Sequence, residues 1–488
     1  MKRTVLTVAL STLFAINALA HPLDRRSAVD SVIASSPSMR GALVSLMAVS
    51  ASGDTLVNID CDRMLLPASN MKLISTGAAL HRLGPDWRFR TSIGIDGEVC
   101  DGVLRGDVII LGGGDPTLGS LDSIRPPVKA DFALWKSFLD ARGIRRIEGR
   151  VIGDGSAFDG MREHPSWCWE DLGSYYGQGS SGLNFCENFV RFNVRPGQEP
   201  GGPVSIKQLY PLTPWMKLEN EATTSVAGRG DELYFYTTDF SSTGVMRGSY
   251  AVDKKPKTLC CANKQAELSC ATEFLKYLNA NGISGGKAVG APKGAGSDKL
   301  EILGSGTSVP LSRIARFTNV DSNNLYAECL FRALGRELTG SACYDSCEVA
   351  IHRVLASMGL GSELAHIVDG SGLSRKNYIS PSFFCRFLAA MMDSPAWEPF
   401  LASLPHPAVN GTLRKGFGCL PVEMRERISM KSGSMNGVRC YSGYYLPLSG
   451  EPLIFSVMVN NCTASSAELS RVTAGIIAAL LSEKTSAE

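Results

Sequence analysis

Ser69 and Lys72 stand three residues apart in Ser69-Asn70-Met71-Lys72, at the start of a helix that the spacing of Leu73, Ile74, Ala78 and Leu80 predicts over 69–83. Gly84-Pro85 stops that helix. Residues i and i+3 share a helix face, so the lysine amine comes beside the serine hydroxyl. A serine alcohol attacks a carbonyl only when a base takes its proton. A lysine is such a base once burial and nearby cations populate its neutral amine. The pattern alone is weak. It recurs at Ser284-Gly285-Gly286-Lys287, in glycine-rich sequence where no helix would align the pair, and Ser69 by itself also reads as a helix cap.

Two further elements follow. Ser322-Asn323-Asn324 supplies a second hydroxyl and a carboxamide, and Lys431-Ser432-Gly433 supplies a cation and a hydroxyl directly after the strand-like Ile428-Ser429-Met430. Ser434-Met435-Asn436 repeats the S-x-N spacing but comes after the lysine element and fails the order. S-x-x-K, S-x-N and K-[ST]-G are, in that order, the elements of penicillin-binding proteins and related β-lactamases. On these residues the chain resembles the D-alanyl-D-alanine carboxypeptidase/endopeptidases of the penicillin-binding protein 4 type, the low-molecular-mass class C group. The segments VIILGGGDPTL at 108–118, WEDLG at 169–173, DGSGLSR at 369–375 and GTLR at 411–414 look like that family's, so the likeness spans nearly the whole length. Ser322 lies 253 residues after Ser69 (322 − 69), and the family carries inserted domains at that point. Ser432 stands where the family usually has Thr, which keeps the hydroxyl.

The resemblance implies an α/β (α+β) fold: a serine β-lactamase/DD-peptidase-like catalytic domain, its antiparallel sheet flanked by helices, with a large mainly-β insertion. It implies acyl transfer on peptidoglycan stem peptides and cross-links, with penicillin as a covalent inhibitor. Ser69 would be the nucleophile, Lys72 its base and Ser322 the proton relay. Asn324 would bind the substrate amide, and Lys431 with Ser432 and Gly433 the terminal carboxylate. Backbone N–H groups of Ser69 and Ser434 would form the oxyanion hole. Asp171, Arg375 and Met435 match positions that hold the peptide stem in some members. No cofactor or metal is implied.

A β-lactamase or esterase of the same fold, and a catalytically inactive cell-wall binding protein, are the alternatives. No E-x-x-L-N is present to supply the Glu that many β-lactamases use for fast deacylation, and the intact motif residues count against an inactive binder. None of the six His lies in the motifs, which argues against a Ser-His-Asp hydrolase. Gly112-Gly113-Gly114 lacks the ending of a phosphate loop, and Cys343 with Cys347 has no His cluster to complete a zinc site. With 49 basic against 47 acidic residues, nothing favours nucleic acid as a partner.

The elements that must position these groups are legible in outline. Residues 1–20 read as a signal peptide: Lys2-Arg3, an apolar stretch, then Ala18-Leu19-Ala20. The expected protein is exported to the periplasm, either free or peripherally associated with membrane or wall. No later stretch is long and apolar enough to span a bilayer, the nearest being 474–481. Residues 41–50 and 55–59 read as a hairpin; 428–430, 441–446 and 453–459 as strands; 311–334, 346–359 and 467–481 as helices. The catalytic domain is expected from 21–90 and 291–488, and a β-rich insertion, two nested small domains, from 91–290, with 282–296 as a linker. The 14 Cys are even in number but irregular in spacing, so they read as buried small hydrophobes or a few unassignable pairs.

Overall fold

A strand buried on both faces reads as a near-continuous apolar run, and Leu453–Asn460 is one: all eight residues are buried and only Ser456 and Asn460 are polar. It sits at the centre of a five-stranded antiparallel sheet in the order Ile428–Met435, Val438–Tyr445, Leu453–Asn460, Leu43–Ser50, Thr55–Ile59. Helices Arg25–Ala34 and Ser466–Leu481 pack on one face. Helices Met71–Leu83, Asn324–Thr339 and Pro381–Met392 lie in the core on the other, where Leu73, Ile74, Ala78 and Leu80 are fully buried. The structure is a computed structural model describing residues 24–482 except 292, 296–298 and 449, so the signal-peptide reading at 1–20 lies outside the described residues. Among the described residues no helix is long and apolar enough to cross a membrane.

Between the helix Met71–Leu83 and the helix Leu311–Val320 the chain builds other sheets. One has five strands in the order Ser284–Ala291, Arg146–Asp154, Val103–Leu111, Arg90–Cys100, Glu301–Thr307. Helices Lys129–Ala141 and Ala266–Ala280 cover it through Phe132, Trp135 and Phe274, whose rings meet edge-on or tilted. Within that stretch, residues 189–262 form smaller sheets around Val190, Phe192, Phe235, Met246 and Tyr250.

Three sequence expectations need correction. The glycine-rich tract at 282–296, expected as a linker, contains the strand Ser284–Ala291, paired in parallel with Arg146–Asp154; Gly285 and Gly286 take positive φ where the register slips. The inserted sheet also runs beyond 290, because Glu301–Thr307 pairs antiparallel with Arg90–Cys100. The helix expected over 311–334 is two helices, Leu311–Val320 and Asn324–Thr339, broken where Ser322 takes φ 58°. In addition, all 14 thiols are free, and nine of them are buried.

The linking segment 155–188 runs against the catalytic helices and is held there by Arg332. This side chain is fully buried. Its guanidinium donates to the carbonyls of Ala342 (2.9 Å), Ser180 (2.9 Å) and Asp159 (2.5 Å) and lies over the rings of Phe158 and Tyr344. Arg332→Met keeps much of the bulk but strips those carbonyls of their donor, so stability should fall by on the order of 3 kcal/mol. A guanidinium denaturation midpoint matching the wild type would show that the clamp is not stabilising.

Candidate active site

Ser69 occupies a 3-10 turn, Ala68–Asn70, that leads straight into the helix Met71–Leu83. Ala68 is left-handed there, with φ 45°. Two glycines let neighbouring segments close on this turn. A Cβ on Gly433 would stand 2.3 Å from the Pro67 carbonyl oxygen, and one on Gly372 would stand 1.9 Å from that of Ala68. Asn70 anchors the turn to the sheet, its amide donating to Ser442 Oγ at 2.8 Å.

Lys72 is fully buried, and its Nζ lies 2.8 Å from Ser69 Oγ, 2.6 Å from Asn324 Oδ1 and 2.8 Å from the Ser371 carbonyl oxygen. A neutral amine has two hydrogens and one lone pair. Asn324 and Ser371 take the hydrogens, which leaves the lone pair for the Ser69 hydroxyl. Burial drives the Lys72 pKa down to about 7, although the charges of Asp369 and then Glu328 oppose the shift. Lys431 is also fully buried, donating to Ser322 Oγ at 3.0 Å and to the Ser432 carbonyl at 2.9 Å. Burial, and then the Lys72 charge, holds its pKa well below the usual lysine range, with Asp321 opposing.

Ser322 therefore touches Lys431; among the described residues it makes no hydrogen bond to Lys72. The side chain of Asn323 caps the helix Asn324–Thr339 by accepting from the Tyr326 N–H at 3.1 Å, and its amide donates to Glu187 Oε2 at 3.1 Å. Glu187 lies in a run of left-handed residues, Cys186, Glu187 and Asn188, and accepts from Ser120 Oγ at 2.7 Å. The S-x-N loop is thus fixed from the inserted side.

The strand Ile428–Met435 is at the sheet's edge. Met430 N–H points away from the sheet, donating to the Pro405 carbonyl at 3.1 Å. By the two-residue period of a strand, the N–H groups of Ser432 and Ser434 face the same way, into the site. Ser432 Oγ lies 2.7 Å from Thr412 Oγ1.

Ser69, Asp171, Ser322, Asn324, Arg375, Ser432, Ser434 and Met435 all line one cavity of about 1310 Å³. Lys72 and Lys431 are buried at its wall, and Gly433 serves by lacking a side chain. Asp171 accepts from the Tyr176 hydroxyl at 3.0 Å, and its pKa is raised by burial. Arg375 Nε donates to Cys168 Sγ at 3.2 Å.

Sequence reasoning missed Glu328, Asp369, Glu187 and Thr412. Glu328, fully buried, accepts from the N–H groups of Gly370 and Ser371 and so holds the carbonyl that faces Lys72; burial and then Asp369 raise its pKa. Asp369 accepts from Trp167 Nε1 at 2.9 Å, which ties the linking segment to the site. Asp369 and Thr412 lay inside segments already noted as family-like; Glu328 and Glu187 had no such signal. Among the described residues no group of His, Cys, Asp or Glu could hold a metal ion.

The D-Ala-D-Ala carboxypeptidase 3 (S13) family matches residues 25–482. The D-alanyl-D-alanine carboxypeptidase of Actinomadura sp. (strain R39) is 30% identical over 450 residues, covering 89% of this chain and 80% of its own. The D-alanyl-D-alanine carboxypeptidase DacB of Haemophilus influenzae is 23% identical over 410 residues, 83% of this chain and 82% of its own. The crystal structure of penicillin binding protein 4 from Haemophilus influenzae superposes with a TM-score of 0.80 at 22% identity, covering 92% of this chain and 97% of that one, and shows the same fold. A second crystal structure of that protein, complexed with a β-lactam, superposes at 0.75, with 21% identity and 92% and 98% coverage. The expected fold class and enzyme class therefore stand: this chain belongs to the D-Ala-D-Ala carboxypeptidase 3 (S13) family and is a serine-type carboxypeptidase, a hydrolase of the penicillin-binding protein 4 type.

Proposed function

We propose that this enzyme releases the terminal D-Ala of peptidoglycan stem peptides through an acyl-enzyme on Ser69, with Lys72 as the base. The observation that carries this reading is the 2.8 Å approach of Lys72 Nζ to Ser69 Oγ, with the amine's two hydrogens directed at Asn324 and Ser371. Ser69 loses its proton to Lys72 and bonds to the substrate carbonyl carbon, while its own N–H and that of Ser434 hold the developing oxyanion. The C–N bond then breaks. Ser322 gives its proton to the leaving amine and is reprotonated from Lys72, which holds the proton taken from Ser69. Water, activated by Lys72, cleaves the ester and restores Ser69. Asn324 binds the substrate amide and Lys431 with Ser432 the terminal carboxylate. An arriving carboxylate favours the charged form of Lys431, offsetting the burial that disfavours it in the empty site.

Asp171, Arg375 and Met435 hold the stem side chain. Cross-linked stems enter the same cavity, which is the endopeptidase half of the activity. Residues 1–20 direct export, and the enzyme works in the periplasm, free or peripherally attached.

Three outcomes test the reading. Penicillin mimics the D-Ala-D-Ala amide and its opened ring stays tethered, so mass spectrometry should place the adduct on Ser69; an adduct on Ser371 with Ser69 unmodified would overturn the assignment. The acylation rate should fall as pH drops through about 7, because below it Lys72 is protonated and cannot accept the Ser69 proton. A rate that stays flat down to pH 5 would remove Lys72 as the base. Lys72→Arg supplies a group that does not deprotonate, so acylation should drop roughly 100- to 10,000-fold with the circular dichroism spectrum intact. Lys431→Arg keeps a permanent charge and should retain part of the activity; equal losses in the two variants would deny the lysines separate roles.

A further inference from the structure

The cavity over Ser69 is larger than a D-Ala-D-Ala terminus requires. Its volume of about 1310 Å³ exceeds the roughly 300–1,000 Å³ of an ordinary small-molecule site. Its two ends also differ in charge. At one end lie Glu170 and Asp171, with one cation, Arg375, near Asp171; this end is linked to Asn324 through Tyr176: the Asn324 amide donates to the Tyr176 carbonyl at 2.9 Å, and the Tyr176 hydroxyl donates to Asp171. The remaining acidic lining residue is Asp321, next to Ser322.

The other end gathers around Ser432 and Ser434, and its charged lining residues are Lys415, Arg439 and Arg471. Lys415 follows three residues after Thr412, whose hydroxyl meets Ser432 Oγ. Arg439 is the cross-strand partner of Ser434, and its guanidinium donates to the hydroxyl of Ser466 at 2.7 Å. Ser466 opens the helix that carries Arg471. Among the described residues none of the three forms an ion pair. Three separate segments therefore bring positive charge to one end of the cavity with no protein anion to meet it.

On the reading above, this is the leaving-group side, since Lys431 and Ser432 take the carboxylate of the departing residue. A departing D-Ala carries one carboxylate, which those two groups already match. In a cross-linked substrate the departing amine belongs to a second stem peptide with carboxylates of its own. We propose that Lys415, Arg439 and Arg471 form a leaving-side subsite for an anionic peptide, the second stem of a cross-link. The proposal rests on the assignment of Lys431 and Ser432 to the leaving-side carboxylate. Lys415 and Arg471 are exposed, so their attraction is screened by salt. The arginines can grip a carboxylate through two N–H groups at once.

The test measures kcat/KM of the full chain on a monomeric stem pentapeptide ending in D-Ala-D-Ala and on a cross-linked stem dimer, for the wild type and for Lys415→Ala/Arg471→Ala. Both substituted residues are exposed, so the fold should tolerate the change, and penicillin labelling of Ser69 checks the site. The dimer-to-monomer ratio should fall about three- to tenfold in the variant, the size expected for two exposed ion pairs. Raising salt should lower the wild-type ratio toward that of the variant. An unchanged ratio, a ratio insensitive to salt, or a wild type that does not cleave the dimer would overturn the subsite. Failure of penicillin to label wild-type Ser69 would instead strike the mechanism, so the two failures are distinguishable.

Discussion

Two lysine side chains share a space from which solvent is excluded, and much of the site answers that constraint. Lys72 and Lys431 are both fully buried. A buried ammonium is costly, and a second one beside it more so. The surroundings treat the two differently. Lys72 is near Asp369 and Glu328, which partly restore its proton affinity and leave it poised near neutrality. Lys431 has Asp321 in support and Lys72 against it. The same burial therefore leaves Lys72 with a pKa of about 7 and Lys431 well below the usual lysine range.

Holding such a pair requires backbone to come unusually close. The serine turn is closed in by Gly372 and Gly433, each standing where a methyl group would overlap a carbonyl oxygen. Glu328 takes the N–H groups of Gly370 and Ser371, so the carbonyl of Ser371 points at Lys72. Asp369 in turn accepts from Gly372 and Ser374 N–H groups and from Trp167 of the linking segment. The segment 155–188 is thus part of the wall of the candidate site, and it brings Asp171 and Tyr176 to the cavity that Ser69 lines.

What the sequence disclosed follows from which contacts are local. Ser69 and Lys72 are three residues apart across a 3-10 turn that runs into a helix, so a local spacing brings them together, although that spacing alone was a weak signal. Ser322 and Lys431 were legible only through the order of the motifs and the family likeness, since the contact that joins them spans 109 residues. The break at Ser322 was missed because helical apolar spacing resumes beyond it; left-handed Ser322 and extended Asn323, which caps the second helix, separate the two. Glu328 sits in a buried helical run and bonds to main chain, which carries no residue code. The glycine-rich tract misled for a related reason. Glycines permit a linker, but a parallel partner on the sheet edge made Ser284–Ala291 a strand. Lys415, Arg439 and Arg471 have no common spacing, because a loop, a strand and a helix each supply one.

How motifs separated by such a long excursion stay in register is answered at its root. Arg90 and Thr307 are paired across the first and last strands of the inserted sheet. Below them, Phe89 and Ser308 exchange hydrogen bonds, the Phe89 N–H donating to Ser308 Oγ at 3.0 Å and the Ser308 N–H to the Phe89 carbonyl at 3.0 Å. The Leu311 N–H then donates to the Trp87 carbonyl at 2.9 Å, at the start of the helix that leads to Ser322. The chain therefore leaves for the second five-stranded sheet and returns from it through a closed antiparallel neck. The entropy of closing a loop grows only logarithmically with its length, and here the inserted sheet closes the loop itself. Lys72 and Asn324 can meet at 2.6 Å because the intervening chain returns to the point it left.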